Sequence, residues 1–205
     1  MSLTCRPVTP STMDDLVELF GPNGASGGCW CMFWRLTRRE WEANGNAGNR
    51  AALCELVDRG TAPGLLAYRD NAPVGWCSVA PRTDFGPLER SRKYPRLDDA
   101  PVWSVTCLYL KRPLRHQGIA AVLLDEAVRF AARNGARIVE GYPSTRGSEA
   151  SYMGTVALFT GAGFRYAGGD PDRAPVYRRE LTPGSPRAGA HVAARSTAGG
   201  SAGSR

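Results

Sequence analysis

The chain has 205 residues, of which 42% are hydrophobic, which suits one domain with a buried core and is short for two. Its net charge of +7 comes without a Lys/Arg-rich run or a known DNA- or RNA-binding motif, so we expect no nucleic-acid partner. The N-terminus lacks the apolar run of a signal peptide and no stretch could span a bilayer, so we expect a cytoplasmic protein without membrane contact.

The composition changes near Leu181. Residues 183–205 are almost entirely Gly, Ala, Ser, Arg and Pro, and they offer too little apolar surface to offset the entropy of ordering. We therefore predict one folded domain over residues 1–182 and a disordered C-terminal tail over residues 183–205.

Six cysteines are scattered through segments that otherwise have core composition, which is typical of reduced thiols, and we predict no structural disulfide. Cys29 and Cys31 are spaced like metal ligands. However, a second pair is missing and the chain has only two histidines, His116 and His191, so we expect no metal.

The first half of the chain predicts a strand, two helices and a hairpin. Ser11 or Thr12 is the expected N-cap of the first helix, and Thr37 caps the second, which is interrupted at Gly45 and Gly48. A turn signal at residues 69–72 separates the two hairpin strands. The predicted strands are residues 3–8, 63–68 and 74–80, the helices are 12–20 and 37–59, and residues 81–100 are expected to form a long surface loop.

The second half alternates strands and helices. Its longest predicted helix, residues 118–134, has an apolar face at three- and four-residue spacing, made by Ile119, Val122, Leu123, Ala127, Phe130 and Ala131. Gly135 ends that helix. Strands are predicted at residues 102–110, 136–142, 164–167 and 175–181, and a short helix at 155–162. The order predicts an α/β fold, with a mixed sheet and helices on both faces.

The segment with the clearest chemistry joins the strand ending at Leu110 to the long helix and reads Arg115-His116-Gln117-Gly118-Ile119-Ala120. The N–H groups of a helix N-terminus and nearby arginines suit a diphosphate, and small residues at Gly118 and Ala120 allow close approach. Basic residues in a loop are also commonly just solvated, so the pattern alone leaves both interpretations open.

This segment resembles motif A of the GNAT superfamily, whose Arg/Gln-x-x-Gly-x-Gly/Ala signature cradles the coenzyme A pyrophosphate. The resemblance covers roughly residues 3–181 and includes the Ala157-Leu158-Phe159-Thr160-Gly161-Ala162-Gly163-Phe164 block. It implies a mostly antiparallel central sheet splayed between two strands, acetyl-CoA as the acyl donor, and an amine acceptor that is a small molecule or a peptide. It also implies direct attack of a neutral amine on the thioester, in a monomer or a homodimer.

The resemblance assigns cofactor contacts to the backbone of Leu108, Tyr109 and Leu110, and to Phe159 on the last helix. Many relatives carry a tyrosine at the position of Phe159, as the acid that protonates the leaving thiolate. Tyr152 is a substitute for that acid, although a tyrosine at the end of a loop is commonly a packing residue. A thiolate can also leave unaided.

Two polar strand residues are candidates for the removal of the amine proton. Glu140 lies in an otherwise apolar strand, where a carboxylate acts either as the general base or as the partner of an arginine. Ser104 could hold a water for this step, or its hydroxyl could bond to the backbone.

The Cys29-Trp30-Cys31-Met32-Phe33-Trp34 block is the expected acceptor wall, with Trp30, Trp34 and Tyr142 as substrate contacts. Some of these rings could instead fill the core. Two other functions stay open: a non-catalytic acyl-CoA-binding module, and a transferase for a longer acyl chain.

Overall fold

The computed structural model describes residues 3–145 and 152–181. They form a seven-stranded sheet with the order β1-β2-β3-β4-β5-β7-β6, in which only β4 and β5 are parallel neighbours. The strands are β1 Leu3–Pro7, β2 Gly64–Arg69, β3 Ala72–Pro81, β4 Trp103–Leu110, β5 Ile138–Gly141, β6 Arg165–Asp170 and β7 Ala174–Glu180. The helices are α1 Met13–Phe20, α2 Arg38–Asp58, α3 Gly86–Glu89, α4 Ile119–Arg133 and α5 Val156–Gly161.

Local signals in the sequence explain most element boundaries. Asp70 and Asn71 both have positive φ, the geometry of a two-residue hairpin turn, and they join β2 to β3. Thr37 and Glu40 form a capping box at the start of α2, and Gly45 kinks that helix with a φ of +56°. The α/β class, the order of the predicted strands and helices, and the capping role of Thr37 are confirmed.

The two faces of the sheet bury different helices because successive strand residues point to opposite sides. Leu65 and Ala67 on β2 pack with Leu123 and other residues of α4. Leu66 and Tyr68, the alternate residues of the same strand, pack with α1 and α2. The helices therefore cover both faces, as the sequence predicts.

Two local expectations are wrong. Val122, assigned to the apolar face of α4, is 39% exposed, while Leu124 and Val128 are buried instead. Residues 81–100 include a short 3-10 turn and α3, and their Phe85, Leu88 and Tyr94 form part of a core cluster, so the segment is not simply a surface loop.

Candidate active site

The site forms where β4 and β5 part. β4 pairs with β3 from Trp103 to Leu110, but it pairs with β5 only from Trp103 to Val105. A bulge lies at the same point, because Ser78 pairs with Cys107 and the next residue of β3 already pairs with Val105, so Thr106 has no opposite residue in the β3–β4 register. A bulge bends a strand and ends regular pairing. Residues 106–110 of β4, which we call the open half, therefore have an edge that β5 does not cover.

The chain itself crosses part of this opening. The backbone N–H of Leu108 donates a hydrogen bond to the carbonyl oxygen of Tyr152, at 2.5 Å, and Ser144 forms an isolated bridge with Thr155. The predicted backbone contacts to the cofactor, Leu108 to Leu110, do lie on the open half. The N–H of Leu108, however, can reach a cofactor only if its bond to Tyr152 is exchanged.

Next to the open half, α4 begins with a residue in the left-handed conformation. Gly118 is its N-cap with a φ of +78°, and a Cβ there would meet no other atom within 4 Å. His116, two residues earlier, also has positive φ. Gln117 donates a hydrogen bond to the Pro113 carbonyl and accepts one from Arg69, so its side chain is held by the protein. The open space leaves the helix N-terminus accessible to an anion.

Ile119 and Ala120, the two apolar residues that follow Gly118, differ in burial. Ile119 is part of the core beneath the helix, and Ala120 is half-buried beside the helix start. Only backbone contacts to a cofactor are therefore compatible with the position of Ile119.

A cleft of about 330 Å³, which we call the basic pocket, lies beside this helix start. Arg112 and Arg115 supply its positive charge. Its described lining consists of Asn23, Ala25, Ser26, Gly27, Tyr109, Leu110, Arg112, Arg115 and Tyr152. Burial, together with the nearby Tyr152, raises the pKa of the Tyr109 hydroxyl, so this ring lines the cleft in its neutral form.

A second cavity, of about 370 Å³, follows the open half toward the bulge, and we call it the aromatic pocket. Its described lining consists of Ser26, Cys29, Cys31, Phe33, Trp34, Trp41, Thr106, Cys107, Tyr152 and Met153. These residues include no carboxylate and no imidazole. Ser26 and Tyr152 line both pockets, so the two cavities meet at Tyr152.

Three cysteines, Cys29, Cys31 and Cys107, line the aromatic pocket, and the sulfur of Cys31 has a defined hydrogen bond to the core. Its Sγ accepts a hydrogen bond from the indole Nε1 of the fully buried Trp76, at 3.0 Å. A hydrogen bond from Cys107, with the Trp76 bond and the charge of Arg35, lowers the pKa of the Cys31 thiol despite its burial. The same contact with Cys31, together with burial, raises the pKa of Cys107 well above its usual value.

Residues 30–154 match the family described as Acetyltransferase (GNAT) family, and this range covers more than half of the chain. The chain belongs to the GNAT acetyltransferase family. No curated protein sequence matches it.

Solved N-acetyltransferase structures share the fold at low sequence identity. The PaiA N-acetyltransferase from Thermoplasma acidophilum, in complex with coenzyme A, is 16% identical with a TM-score of 0.52, over 88% of this chain and 100% of that chain. A Staphylococcus aureus N-acetyltransferase is 15% identical with a TM-score of 0.53, over 89% and 100%. The ribosomal-protein-alanine N-acetyltransferase from Brucella melitensis is 20% identical with a TM-score of 0.52, over 87% and 99%. Identities this low carry the fold alone.

In this GNAT fold, Glu140 lies at the closed end of the splay and is 1% exposed. Its Oε2 accepts hydrogen bonds from Arg82 Nη1 at 2.9 Å and from the Tyr142 hydroxyl at 2.8 Å, while Oε1 accepts one from Arg178 Nε at 2.8 Å. Ser104 Oγ lies 2.7 Å from the Tyr142 hydroxyl. These contacts match the arginine-partner alternative for Glu140, whereas its role as the base stays a prediction.

Tyr142 and Phe159 are core residues of the GNAT domain. Tyr142 is fully buried among Arg82, Glu140 and Ser104, and burial with the neighbouring carboxylate raises the pKa of its hydroxyl. Phe159 packs edge-on against Phe164 and fills the space above Gly141, where a Cβ would lie 2.0 Å from its ring. Neither ring has a free face for a substrate or a cofactor in this structure.

The aromatic block divides between the core and the aromatic pocket. Trp30 is 3% exposed, packs on Phe20 and donates its indole N–H to Asn46 at 2.6 Å, so it fills the core. Trp34 lines the aromatic pocket and packs edge-on against Phe33. Of the three predicted substrate contacts, only Trp34 therefore borders this cavity.

Sequence reasoning missed Cys107, Thr106 and Arg82. The bulge that brings Thr106 and Cys107 to the aromatic pocket has no distinct sequence signal. Arg82 does have one, since it is a charged residue directly after an apolar strand; it is 1% exposed and also donates to Glu89, Leu88 and Tyr94. Sequence reasoning missed its role because its partners are distributed along the chain.

All six cysteines lie in the described ranges as free thiols, and only Cys77 is fully buried. Within residues 3–145 and 152–181, no group of three or more His, Cys, Asp or Glu side chains could hold a metal ion. In those same ranges, no helix has the length and apolar character needed to cross a bilayer.

Proposed function

We propose that the protein transfers an acetyl group from acetyl-CoA to the primary amine of an apolar small molecule or peptide. One observation carries the proposal: a basic pocket and an aromatic pocket meet at Tyr152 on the open half of β4. A donor with an anionic end and an apolar acceptor could each occupy one cavity, with the reacting groups at the junction.

The basic pocket suits the donor. Arg112 and Arg115 add positive charge beside the start of α4, and the open space at Gly118 allows a diphosphate to approach the backbone N–H groups of the helix. The arm of the cofactor that carries the thioester would then follow the edge of β4 along Tyr109 and Leu110 toward Tyr152.

The aromatic pocket suits an amine with an apolar body. Phe33, Trp34 and Trp41 offer ring faces to such a group or to a cation. The described lining offers no carboxylate or imidazole to remove a proton, which favours amines that are partly neutral at pH 7. An α-amino group, with a pKa of about 7.7–8.0, meets this condition better than a lysine side chain at about 10.4.

Tyr152 is the group best located to protonate the departing coenzyme A thiolate, because it lines both pockets. Glu140 and Ser104 remain the predicted base and water holder. Their contacts with Arg82, Arg178 and Tyr142 leave them less accessible than Tyr152.

The test compares two glycines at opposite ends of α4. Gly118 and Gly135 both have positive φ, and a Cβ at either would meet no atom within 4 Å, so substitution strains both backbones similarly. Gly118→Glu should abolish acetyl-CoA binding, measured by calorimetric titration and thermal shift, whereas Gly135→Glu should retain it. Equal affinities in two folded variants would contradict the donor site.

Acyl transfer itself is tested by the release of coenzyme A thiol in the presence of a panel of amines. Apolar α-amines should react faster than polyamines or lysine side chains. Tight binding without thiol release from any amine would instead support the second candidate, a non-catalytic acyl-CoA-binding module. That candidate is favoured by the bond between Leu108 and Tyr152, which closes part of the donor path.

A further inference from the structure

Ser26 lies where the basic pocket and the aromatic pocket meet, because it lines both cavities. In the described lining, Tyr152 is the other residue with this position. Ser26 is exposed, and its hydroxyl has no hydrogen bond to any residue within 3–145 and 152–181. The hydroxyl is therefore available to a bound molecule at the junction of the two cavities.

The loop that carries Ser26 is held in place by the second helix. Asn46, beside the kink of α2, donates a hydrogen bond to the Pro22 carbonyl oxygen at 2.8 Å. Asn49, which is 1% exposed, donates one to the Gly28 carbonyl oxygen at 3.0 Å. These two bonds fix both ends of the loop, so the folded domain itself places Ser26 between the cavities.

Other hydrogen-bond donors beside the open half are already engaged within the protein. The backbone N–H of Leu108 donates to the Tyr152 carbonyl oxygen. The Thr106 hydroxyl donates to Ser78 Oγ at 3.1 Å and is buried. When an amine attacks a thioester, negative charge develops on the carbonyl oxygen, and a fixed donor that contacts this oxygen lowers the barrier. The hydroxyl of Ser26 is a donor that can do so without breaking a bond of the fold.

We propose that the Ser26 hydroxyl donates a hydrogen bond to the thioester carbonyl oxygen of the acyl donor and stabilises the negative charge that develops there during attack. This rests on the proposed function, because it takes the thioester to lie at the junction of the two pockets. Ser26 is then a catalytic residue that polarises the carbonyl, while Tyr152 keeps its role toward the departing sulfur.

The step keeps the direct attack of the amine and balances without a further reactant. The amine nitrogen bonds to the carbonyl carbon, and the π electron pair of the carbonyl moves to the oxygen that Ser26 contacts. When this pair returns, the bond from carbon to the coenzyme A sulfur breaks, and the sulfur takes a proton from Tyr152. The amine proton passes to water, and Tyr152 recovers a proton from solvent. Ser26 keeps its own proton throughout and needs no base, which agrees with a described lining that carries no carboxylate or imidazole.

The decisive experiment observes the carbonyl itself and needs no acceptor amine. Acetyl-CoA with an isotopically labelled carbonyl carbon is bound to the protein, and the infrared stretching frequency of that carbonyl is measured. A hydrogen bond lowers this frequency, so Ser26→Ala should raise it relative to the wild type. Ser11→Ala is the matched control, because Ser11 is also exposed, its hydroxyl lies 2.9 Å from Thr9 Oγ1, and it is outside the described lining of both pockets.

The rate gives a second readout, with an amine identified by the release of coenzyme A thiol. Ser26→Ala should lower kcat by about 10²–10³-fold, as the loss of one such donor typically does. The KM for acetyl-CoA and the melting temperature should change little, since the Ser26 hydroxyl bonds to no described residue. A merely structural role would instead lower the melting temperature and leave the carbonyl frequency unchanged.

The outcomes separate this assignment from the proposed function. If the wild type binds acetyl-CoA and transfers the acetyl group, but either the carbonyl frequency or the kcat of Ser26→Ala equals that of the wild type, the role of Ser26 is wrong and the proposed function stands. The same holds if the frequency changes in Tyr152→Phe and not in Ser26→Ala. If the wild type binds no acetyl-CoA, or transfers to no amine, both proposals fail.

Discussion

Residues 103–105 of β4 lie between β3 and β5, whereas residues 106–110 have β3 on one side and the two pockets on the other. We call residues 103–105, with the neighbouring Glu140 and Tyr142, the closed half; its polar groups bond to each other, because Ser104 bonds to Tyr142 and Tyr142 bonds to Glu140. In the open half, Thr106 and Cys107 face a cavity. Thr106 itself is 3% exposed and its Oγ1 donates a hydrogen bond to Ser78 Oγ at 3.1 Å, so the two halves differ in whether a cavity lies beside the strand and not in whether their polar groups are bonded.

The largest expected effect tests the closed half. Glu140→Gln removes the negative charge that faces Arg82 and Arg178, and breaking a buried ion pair in this way typically lowers the free energy of unfolding by about 3–5 kcal/mol. Ser104→Ala, in the same network, removes one hydrogen bond and should lower it by only about 1 kcal/mol. Urea denaturation of both variants measures the difference.

The opposite result, a loss of rate without a loss of stability, would assign Glu140 to catalysis. If Glu140→Gln unfolds like the wild type but its turnover falls about 10²–10⁴-fold with unchanged acetyl-CoA affinity, Glu140 is the general base and the closed half is not purely structural.

A substitution beside the open half should lower the turnover rate and leave the stability of the fold unchanged. Tyr152→Phe removes the hydroxyl at the junction of the pockets, and loss of a general acid typically lowers turnover by about 10²–10⁴-fold. The melting temperature and the affinity for acetyl-CoA should change little. Tyr166→Phe, at a half-exposed tyrosine on β6, is the matched control and should keep its rate. An unchanged rate for Tyr152→Phe would mean that the thiolate leaves unaided.

The fold was more predictable than the site, because the fold depends on local signals. Glycines, prolines and the spacing of apolar residues mark helices and strands within a few residues, and α4 was found from its own periodicity. The face of α4 was partly misplaced, since the sheet that covers Leu124 and Val128 is formed by distant strands. The Arg115–Ala120 segment was found for the same local reason.

The chemistry of the two pockets depends on pairs that are far apart in sequence. Trp76 meets Cys31 across 45 residues, and Arg82 meets Glu140 across 58. Each residue alone fits an ordinary strand or loop, and only the fold decides which are partners. That is why the sequence left Glu140 open between two roles and treated the thiols as core.

A smaller effect should appear in the pH dependence of Cys31. Cys29, Cys77 and Cys107 and the cation of Arg35 surround it, and the lowered pKa means that its thiolate persists below the pH at which an ordinary thiol, with a pKa of about 8.5, becomes protonated. The rate at which iodoacetamide alkylates Cys31 should therefore rise with pH and reach its plateau at a lower pH than the rate for an ordinary thiol. Below an ordinary pKa, the rate for a free thiol falls about tenfold per pH unit.

The control is the same protein unfolded in urea, where all thiols react alike. Mass spectrometry of the Cys31 peptide at several pH values compares the two states. A Cys31 profile that coincides with the unfolded one, or lies at higher pH, would show that Trp76 and Cys107 do not stabilise the thiolate.

The smallest expected effect lies outside both halves of β4, in the tail after Thr182, which falls outside the described residues. Its sequence of Gly, Ala, Ser, Arg and Pro has almost no apolar side chain to bury, so its removal should leave the free energy of unfolding and the affinity for acetyl-CoA unchanged. Truncation after Thr182 also removes three arginines. The affinity for acetyl-CoA is therefore compared at two salt concentrations. A long-range attraction between these arginines and the anionic cofactor would appear as a difference at low salt only. A lower melting temperature for the truncated protein would place part of the tail against the domain.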